Sequence, residues 1–480
     1  MGAFLTRWKR TLGRVAYMPV AFLGVGLYRA WLAIFFRYGA YPDLGFGDYA
    51  LFEVSIGLTC LAAALLARRI APPWCNARVM RAAGLLMVAG SLGCAVQSFL
   101  LPSAPLKWVS LIAAGAGLAV AILVWCEFYG ALNPMRVAIY HAASIFCGEL
   151  LCWLFMGVEP LYLAGLSVIL PPATLYWAQR AVRSLPEIER PGRPEQVRGQ
   201  AIPWKPIALM ATCTFATGFG MLPDQPMLAG NVAGVLFACA LVFFGSLSTA
   251  RWFNFDVIYR LAFPLMTVCL LLVTPLATHS PQVVAFAFDA GYTMLTMFIM
   301  IILSNITYRF GIDAVWLNGI ERGIRYLVEA LGWGAYALSS GLLPGGVNVA
   351  VHVGVTAAVV VMFLVIAAGE KSLAAHWGID LGAGGAGSDV FSPGQLAMRV
   401  SDLSKAHGLS DREEEVLQLM ARGMTMAQME EALFVARGTI KAHTHHIYRK
   451  FGVRGRDELL ALLGVAEGET SGASKTESTR

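Results

Sequence analysis

The chain is 480 residues long, 57% hydrophobic and only 14% charged. Soluble domains carry about a quarter of their residues as charged side chains, so this composition excludes an ordinary soluble protein. The net charge of +6 is small for the length, and where the charges lie says more than their sum.

Twelve apolar runs follow one another, at roughly 15–38, 49–68, 80–101, 106–126, 136–157, 160–180, 204–222, 228–250, 256–278, 282–306, 318–342 and 346–368. Each is close to the roughly 20 residues that a helix needs to cross a bilayer core. The first run has no small-residue cleavage site and is followed by further runs, so it reads as a span and not a removable signal peptide. Between the sixth and seventh runs stands RAVRSLPEIERPGRPEQVRGQ, residues 180–200, charged and Pro-rich, which opposes continuous helix. The expected plan is a basic cytoplasmic N-terminus over 1–14, then a membrane domain over 15–368. That domain has six spans on each side of a central cytoplasmic loop at 181–203.

Lys and Arg placement orients the spans. With the N-terminus inside, twenty Lys and Arg fall on inner segments, from Arg7 through Arg325, and only Arg37 and Lys107 fall outside. This predicts a multi-pass protein of the cytoplasmic (inner) membrane with both termini in the cytoplasm. None of the nine cysteines falls in a predicted outer loop, and no pair or cluster has zinc spacing. They read as small apolar packing residues. Ionisable residues inside spans are costly in lipid and point to a lined cavity or to helix-to-helix ion pairs. Arg29, Glu149, Asp289 and Glu329 sit deepest and are the candidate ligand pocket. Trp31, Trp153 and Trp333 are candidate aromatic neighbours, while Glu53, His141, Glu321, Arg322, Arg325 and His352 complete the set. The six-plus-six layout with a basic central loop resembles the major facilitator superfamily. The loop ARRIAPPWCNARVMRAAG lacks the G-x-x-x-D pattern of that family, which weakens an inference of transport.

After Ala368 a Gly-rich cytoplasmic linker, 369–391, leads to a compact module over 392–466, and a polar tail over 467–480 is expected to be disordered. Ser392–Pro393 fits a helix start. Four short helices are predicted over 409–463. Ser410 and Glu413 form a capping box, Gly423 ends the first helix, and a tight turn at 434–436 leads to a basic third helix. Ile440, Ile447 and Phe451 would face the core there. Acids crowd the first two helices, and Arg437 through Arg456 carry bases with no acid between. Two short helices with a sharp turn, the second basic, is the helix-turn-helix plan. The i, i+2, i+3 spacing of His443, His445 and His446 does not gather three ligands on one helical face, so no metal is expected there, and no cofactor elsewhere.

The stretch LSDREEEVLQLMARGMTMAQMEEALFVARGTIKAHTHHIYRKFGVRGRDELL closely resembles the DNA-binding domain of the LuxR family of bacterial regulators. The matching features are the opening L-[ST]-x-R-E-x-E-V-L, the Gly ending the first helix, L-F-[IV] at the turn, T-[IV]-K-x-H, I-x-x-K-x-G-V and R-x-E-L. The resemblance implies that Thr439 opens the recognition helix against phosphate. Lys441, Ala442 and His445 would hold groove-facing positions, Arg449 would share their DNA-facing side, and Lys450 and Arg454 would bind phosphates. It assigns Glu413 a structural pairing, and Leu459, Leu460 and Leu463 the dimer surface. Glu430 departs from a usual small Ala, and His445 stands where the family often has a Lys or another polar reader.

The fold class predicted is all-α, a polytopic helical bundle of about twelve spans followed by a four-helix helix-turn-helix domain. No G-x-x-x-x-G-K-[ST] loop or convincing G-x-S-x-G set occurs, so no enzymatic activity is expected. The function predicted is a membrane-anchored one-component transcription regulator. Its partners would be double-stranded promoter or operator DNA, the lipid bilayer, a small-molecule ligand, a second copy through the C-terminal domain, and RNA polymerase. The alternative is a major-facilitator-like transporter with a regulatory DNA-binding tail.

Overall fold

The apolar runs fold as helices because a backbone in lipid must satisfy its hydrogen bonds within its own segment. The computed structural model describes residues 19–36, 40–41, 43–67, 69, 73–185, 189–192, 202–220, 229–247, 281–342, 399–400, 403–404, 406–433 and 435–463. These residues are helical with short connections, without a strand among them, and they group into two compact units.

In chain order, the first unit holds α1 Gly24–Phe36, α2 Phe46–Leu66, α3 Ala77–Phe99, α4 Ala104–Gly130, α5 Pro134–Phe155 and α6 Pro160–Ser184. It continues with α7 Trp204–Gly220, α8 Ala229–Leu247, α9 Pro281–Phe310 and α10 Ala314–Leu342. Ten of the twelve expected spans fall on these helices. The expected spans at 256–278 and 346–368 lie outside the described residues, as do the N-terminal segment 1–14, the linker 369–391 and the tail 467–480. Among the described residues, six stretches are long and apolar enough to cross a membrane: Phe46–Leu66, Ala77–Phe99, Ala104–Gly130, Pro134–Phe155, Pro160–Ser184 and Ala285–Tyr308. Helix α10 is not among them because Glu321, Arg322, Arg325 and Glu329 interrupt its middle.

Local signals set the helix ends. Asn76 caps α3 by accepting from the Arg78 and Val79 amides at 3.0 Å, and Asn133 caps α5 by accepting from the Arg136 amide. Pro134 sits where its missing N–H has no helical partner to lose. Small residues set the packing between helices. At the α3–α4 crossing, a Cβ on Gly90 would lie 2.6 Å from the Ser110 carbonyl oxygen. At the α2–α10 crossing, a Cβ on Gly319 would lie 2.8 Å from the Cys60 carbonyl oxygen and 2.9 Å from Ala64 Cβ. Such close approach is how helices associate in lipid. Gly319→Leu is therefore expected to lower the unfolding free energy by at least about 1–3 kcal/mol, because backbone cannot move aside. Leu at Gly334, which has nothing within 4 Å, serves as the tolerated control in a thermal melt.

The second unit holds α11 Asp411–Ala421, α12 Met426–Leu433, α13 Arg437–Phe451 and α14 Arg456–Leu463. Its core combines Val416, Leu417 and Met420 from α11, Met429 and Leu433 from α12, Ile440, Ile447 and Phe451 from α13, and Leu459 and Leu463 from α14. Val400 joins them from the segment before α11. Helix α11 starts at Ser410, whose amide donates to Glu413 Oε2 at 2.7 Å while its side chain accepts from the Glu413 amide. A second box opens α12, where the Thr425 amide donates to Gln428 Oε1 at 2.8 Å. Helix α13 ends at Gly452, whose φ of +69° is a left-handed C-cap that a Cβ would oppose.

Candidate nucleic-acid interface and membrane cavity

Helix α13 divides its residues by period. Ile440, Thr444, Ile447 and Phe451 are buried at i, i+4, i+7 and i+11, one stripe of an amphipathic helix. The opposite side exposes Thr439, Lys441, Ala442, His445 and Arg449 to solvent, with Arg454 exposed just beyond the helix. No acid lies on α13 itself, and Lys441 and Arg449 make the exposed side basic, with Arg454 following. It has the length and spacing to enter a major groove. His443 sits half-buried at the edge of the stripe, and burial holds its imidazole below the ordinary value.

Lys450 is placed differently from the other expected DNA contacts. It is half-buried, and its ammonium donates to Glu413 Oε2 at 2.7 Å and to the Gly408 carbonyl at 2.8 Å. The structural partner of Glu413 is thus the very lysine expected to hold phosphate. Burial raises the Glu413 carboxyl, but hydrogen bonds from Lys450 and from the Ser410 amide and hydroxyl outweigh it and hold the group at about 2. Arg456 adds a second brace, donating to the Met420 carbonyl at 3.0 Å and joining α14 to the end of α11.

The expected dimer residues also move. Leu459 and Leu463 are fully buried in the core of their own unit, because α14 must cover α11 and α13. They cannot also face a second copy. The exposed leucine on α14 is Leu462, 48% accessible, and Leu460 is half-buried. A period-3.6 reading of an eight-residue helix cannot choose between two apolar sides when leucines occupy 459, 460, 462 and 463. Glu430 is half-buried on α12.

Residues 407–463 match the family model "Bacterial regulatory proteins, luxR family". The second unit is a LuxR-type helix-turn-helix domain. Similar curated proteins include the probable HTH-type transcriptional regulator GfsR of Streptomyces halstedii, 34% identical over 79 residues, which is 16% of this chain and 32% of that protein. The oxygen regulatory protein NreC of Staphylococcus aureus is 42% identical over 52 residues, 11% of this chain and 24% of its own. The LuxR-type match thus spans about a third or less of these relatives' lengths. The first unit finds a likeness in structure instead. A bacterial homologue of the iron transporter ferroportin, in an outward-facing state, aligns with a TM-score of 0.50 and 14% identity over 75% of this chain and 98% of that one. At that identity the likeness concerns the fold.

Within the first unit, Arg29, Glu149, Asp289 and Glu329 line one cavity of about 260 Å³. Its walls come from α1, α2, α4 and α5 on one side and from α7, α8, α9 and α10 on the other. Arg29 faces Glu149 at 3.7 Å, and Asn231 donates to Asp289 at 2.5 Å. The cavity also gathers Glu53, His141, Arg322 and Arg325, with Tyr28, Tyr49, Tyr292 and Tyr326. Glu53 and His141 are buried. Arg322 and Arg325 lie inside α10, so they are not loop charges. Removing them leaves eighteen inner Lys and Arg against two outer ones. Glu53, His141, Arg322 and Arg325 all belong to the ionisable residues expected within spans, outside the four placed deepest.

The three tryptophans do not line the cavity. Trp31 is buried and donates to Ser91 Oγ at 3.0 Å and to the Ser167 carbonyl at 2.9 Å. Trp153 is exposed, and Trp333 packs against Tyr49 at a 4.8 Å ring separation. His352 and Cys269 fall outside the described residues. Among the described residues no cluster of three His, Cys, Asp or Glu could hold a metal.

Proposed function

We propose that this chain is a membrane-anchored one-component transcription regulator. The observation that carries the reading is a LuxR-type domain with an exposed basic recognition helix on the same chain as a helical membrane unit. A small polar ligand, entering the charged cavity between the two sets of helices, would favour one arrangement of the membrane unit over another. That bias would change the availability or pairing of the DNA-binding domains, which bind as a homodimer to promoter DNA and touch RNA polymerase there. The termini lie in the cytoplasm of an inner-membrane protein, where DNA is accessible.

Deleting residues 392–466 should abolish specific retention of promoter fragments by membrane vesicles carrying the protein. Retention by the truncated chain would sink the reading. At the level of one residue, Lys441→Ala should weaken specific binding by about 1–3 kcal/mol if it reads a base edge, with a smaller loss on random DNA. Titrations of both DNAs at fixed salt measure the difference, and equal losses would remove Lys441 from base readout. A transporter with a regulatory tail is the second reading, favoured by the cavity shared between both sets of helices. Uptake into proteoliposomes by residues 1–375 would support it.

A further inference from the structure

A second concavity lies on the outside of the membrane unit, away from the central cavity. It is a groove of about 580 Å³ between α3 and α6. Its α3 wall includes Arg81, Gly84, Leu85 and Val88, and its α6 wall includes Pro172, Tyr176 and Gln179. Gly84 forms the floor, where a Cβ would come within 3.2 Å of Leu175 Cδ1. Leu85 and Tyr176 are exposed, so the groove opens outward between two helices that are apolar enough to cross a membrane.

Its depth matches one leaflet. From Ala77 to Val88, the ends of the groove along α3, the helix rises about 16 Å at 1.5 Å per residue. Half of a bilayer's hydrocarbon core is about 15 Å. With the start of α3 at the headgroup level, a groove of this length would reach close to the bilayer midplane.

Its charge is one-sided. The N-terminal end of α3 and the C-terminal end of α6 lie together, since the two helices pack antiparallel along the groove. That end carries Arg78, Arg81, Arg180 and Arg183, all exposed. Neither helix contains an Asp or Glu. Glu127 stands beside the start of α3 but is engaged there by the Trp74 and Cys75 amides, and Glu189 is paired with Arg136 at 2.7 Å. Arg81 Nε donates to the Ala77 carbonyl at 3.0 Å, which draws the side chain back toward the helix start and the headgroup level. The N-terminal dipole of a 23-residue helix adds to the same positive end.

We propose that this groove holds one anionic phospholipid, with an acyl chain along Gly84, Leu85 and Val88 and its phosphate at Arg81. Basic pockets between transmembrane helices bind anionic headgroups, and a Lys or Arg near an anionic membrane surface contributes about 1 kcal/mol, which is about fivefold in affinity. The proposal does not depend on the regulator reading.

The test uses the full-length protein in detergent, titrated with phosphatidylglycerol and separately with phosphatidylcholine, and read by native mass spectrometry. Wild type should retain one phosphatidylglycerol at least fivefold more tightly than phosphatidylcholine. Arg81→Gln should remove about a fivefold share of that preference, and Leu85→Trp should lower occupancy by both lipids. Both positions are exposed, so each variant's melting temperature in lipid-free detergent should equal that of wild type. Equal retention of the two lipids by wild type overturns the proposal. So does an Arg81→Gln protein with unchanged preference, or a Leu85→Trp protein with unchanged occupancy.

Discussion

Glu413→Gln is expected to destabilise the LuxR-type domain by about 2–3 kcal/mol at pH 7 and to remove part of its acid sensitivity. The carboxylate receives the Ser410 amide and hydroxyl and the Lys450 ammonium, so one charge ties the start of α11 to the end of α13. Charge-assisted hydrogen bonds of this kind are about twice as strong as neutral ones. The sign with pH follows from the depressed pKa. The carboxyl titrates near 4.5 when unfolded and at about 2 when folded. Its stabilisation is complete above pH 4.5 and is lost as pH falls through 2. Urea unfolding of residues 392–466 at pH 7, 4.5 and 2.5 checks this. The gap between wild type and Glu413→Gln should be widest at pH 7 and close toward pH 2. A gap independent of pH would show that the carboxylate acts only by shape. Lys450→Ala should lower stability similarly, since it breaks the same contact. It should leave the salt dependence of DNA binding nearly unchanged, because its charge is already engaged.

The assignment of Glu413 to a structural role was legible in the sequence, because a capping box has a fixed spacing. Its partner Lys450 was not, because a lysine at the end of a basic helix looks the same whether it meets a phosphate or a carboxylate 37 residues away. The same limit explains Leu459 and Leu463, whose burial is decided by where α14 docks. In the membrane unit, Arg29, Glu149, Asp289 and Glu329 could be found from depth within their spans alone. Arg322 and Arg325 belong to the same set of ionisable residues within spans, but lie nearer the start of their expected span than Glu329 does. They stand about two and three helical turns into α10, which begins at Ala314, four residues before the expected span. The composition of α10 held a clue, since GIERGIRYLVE combines two glycines with four charges on one helix. Glycines at one side and charges at another mean that this helix packs tightly on α2 while lining a polar interior.

The largest single effect in the membrane unit is expected at the Arg29–Glu149 pair. Glu149 is 1% accessible and Arg29 is 30% accessible, separated by 3.7 Å. Breaking a buried pair by removing one partner costs about 3–5 kcal/mol, because the remaining charge keeps its desolvation cost. Arg29 still reaches the cavity, so Glu149→Leu should fall at the lower end, about 3 kcal/mol. Removing both charges should cost less than removing Glu149 alone, giving a coupling energy well above the few tenths expected of independent sites. Thermal unfolding of the full-length protein in detergent, for wild type, both single variants and the double variant, measures it. Strict additivity would show that the two side chains do not sense each other. The double variant also separates structure from signalling. If the pair only stabilises α1 against α5, Arg29→Leu/Glu149→Leu should fold and regulate a reporter as wild type does. If the pair belongs to the ligand site of the proposed regulator, that protein should fold, bind promoter DNA, and no longer respond to the inducing condition.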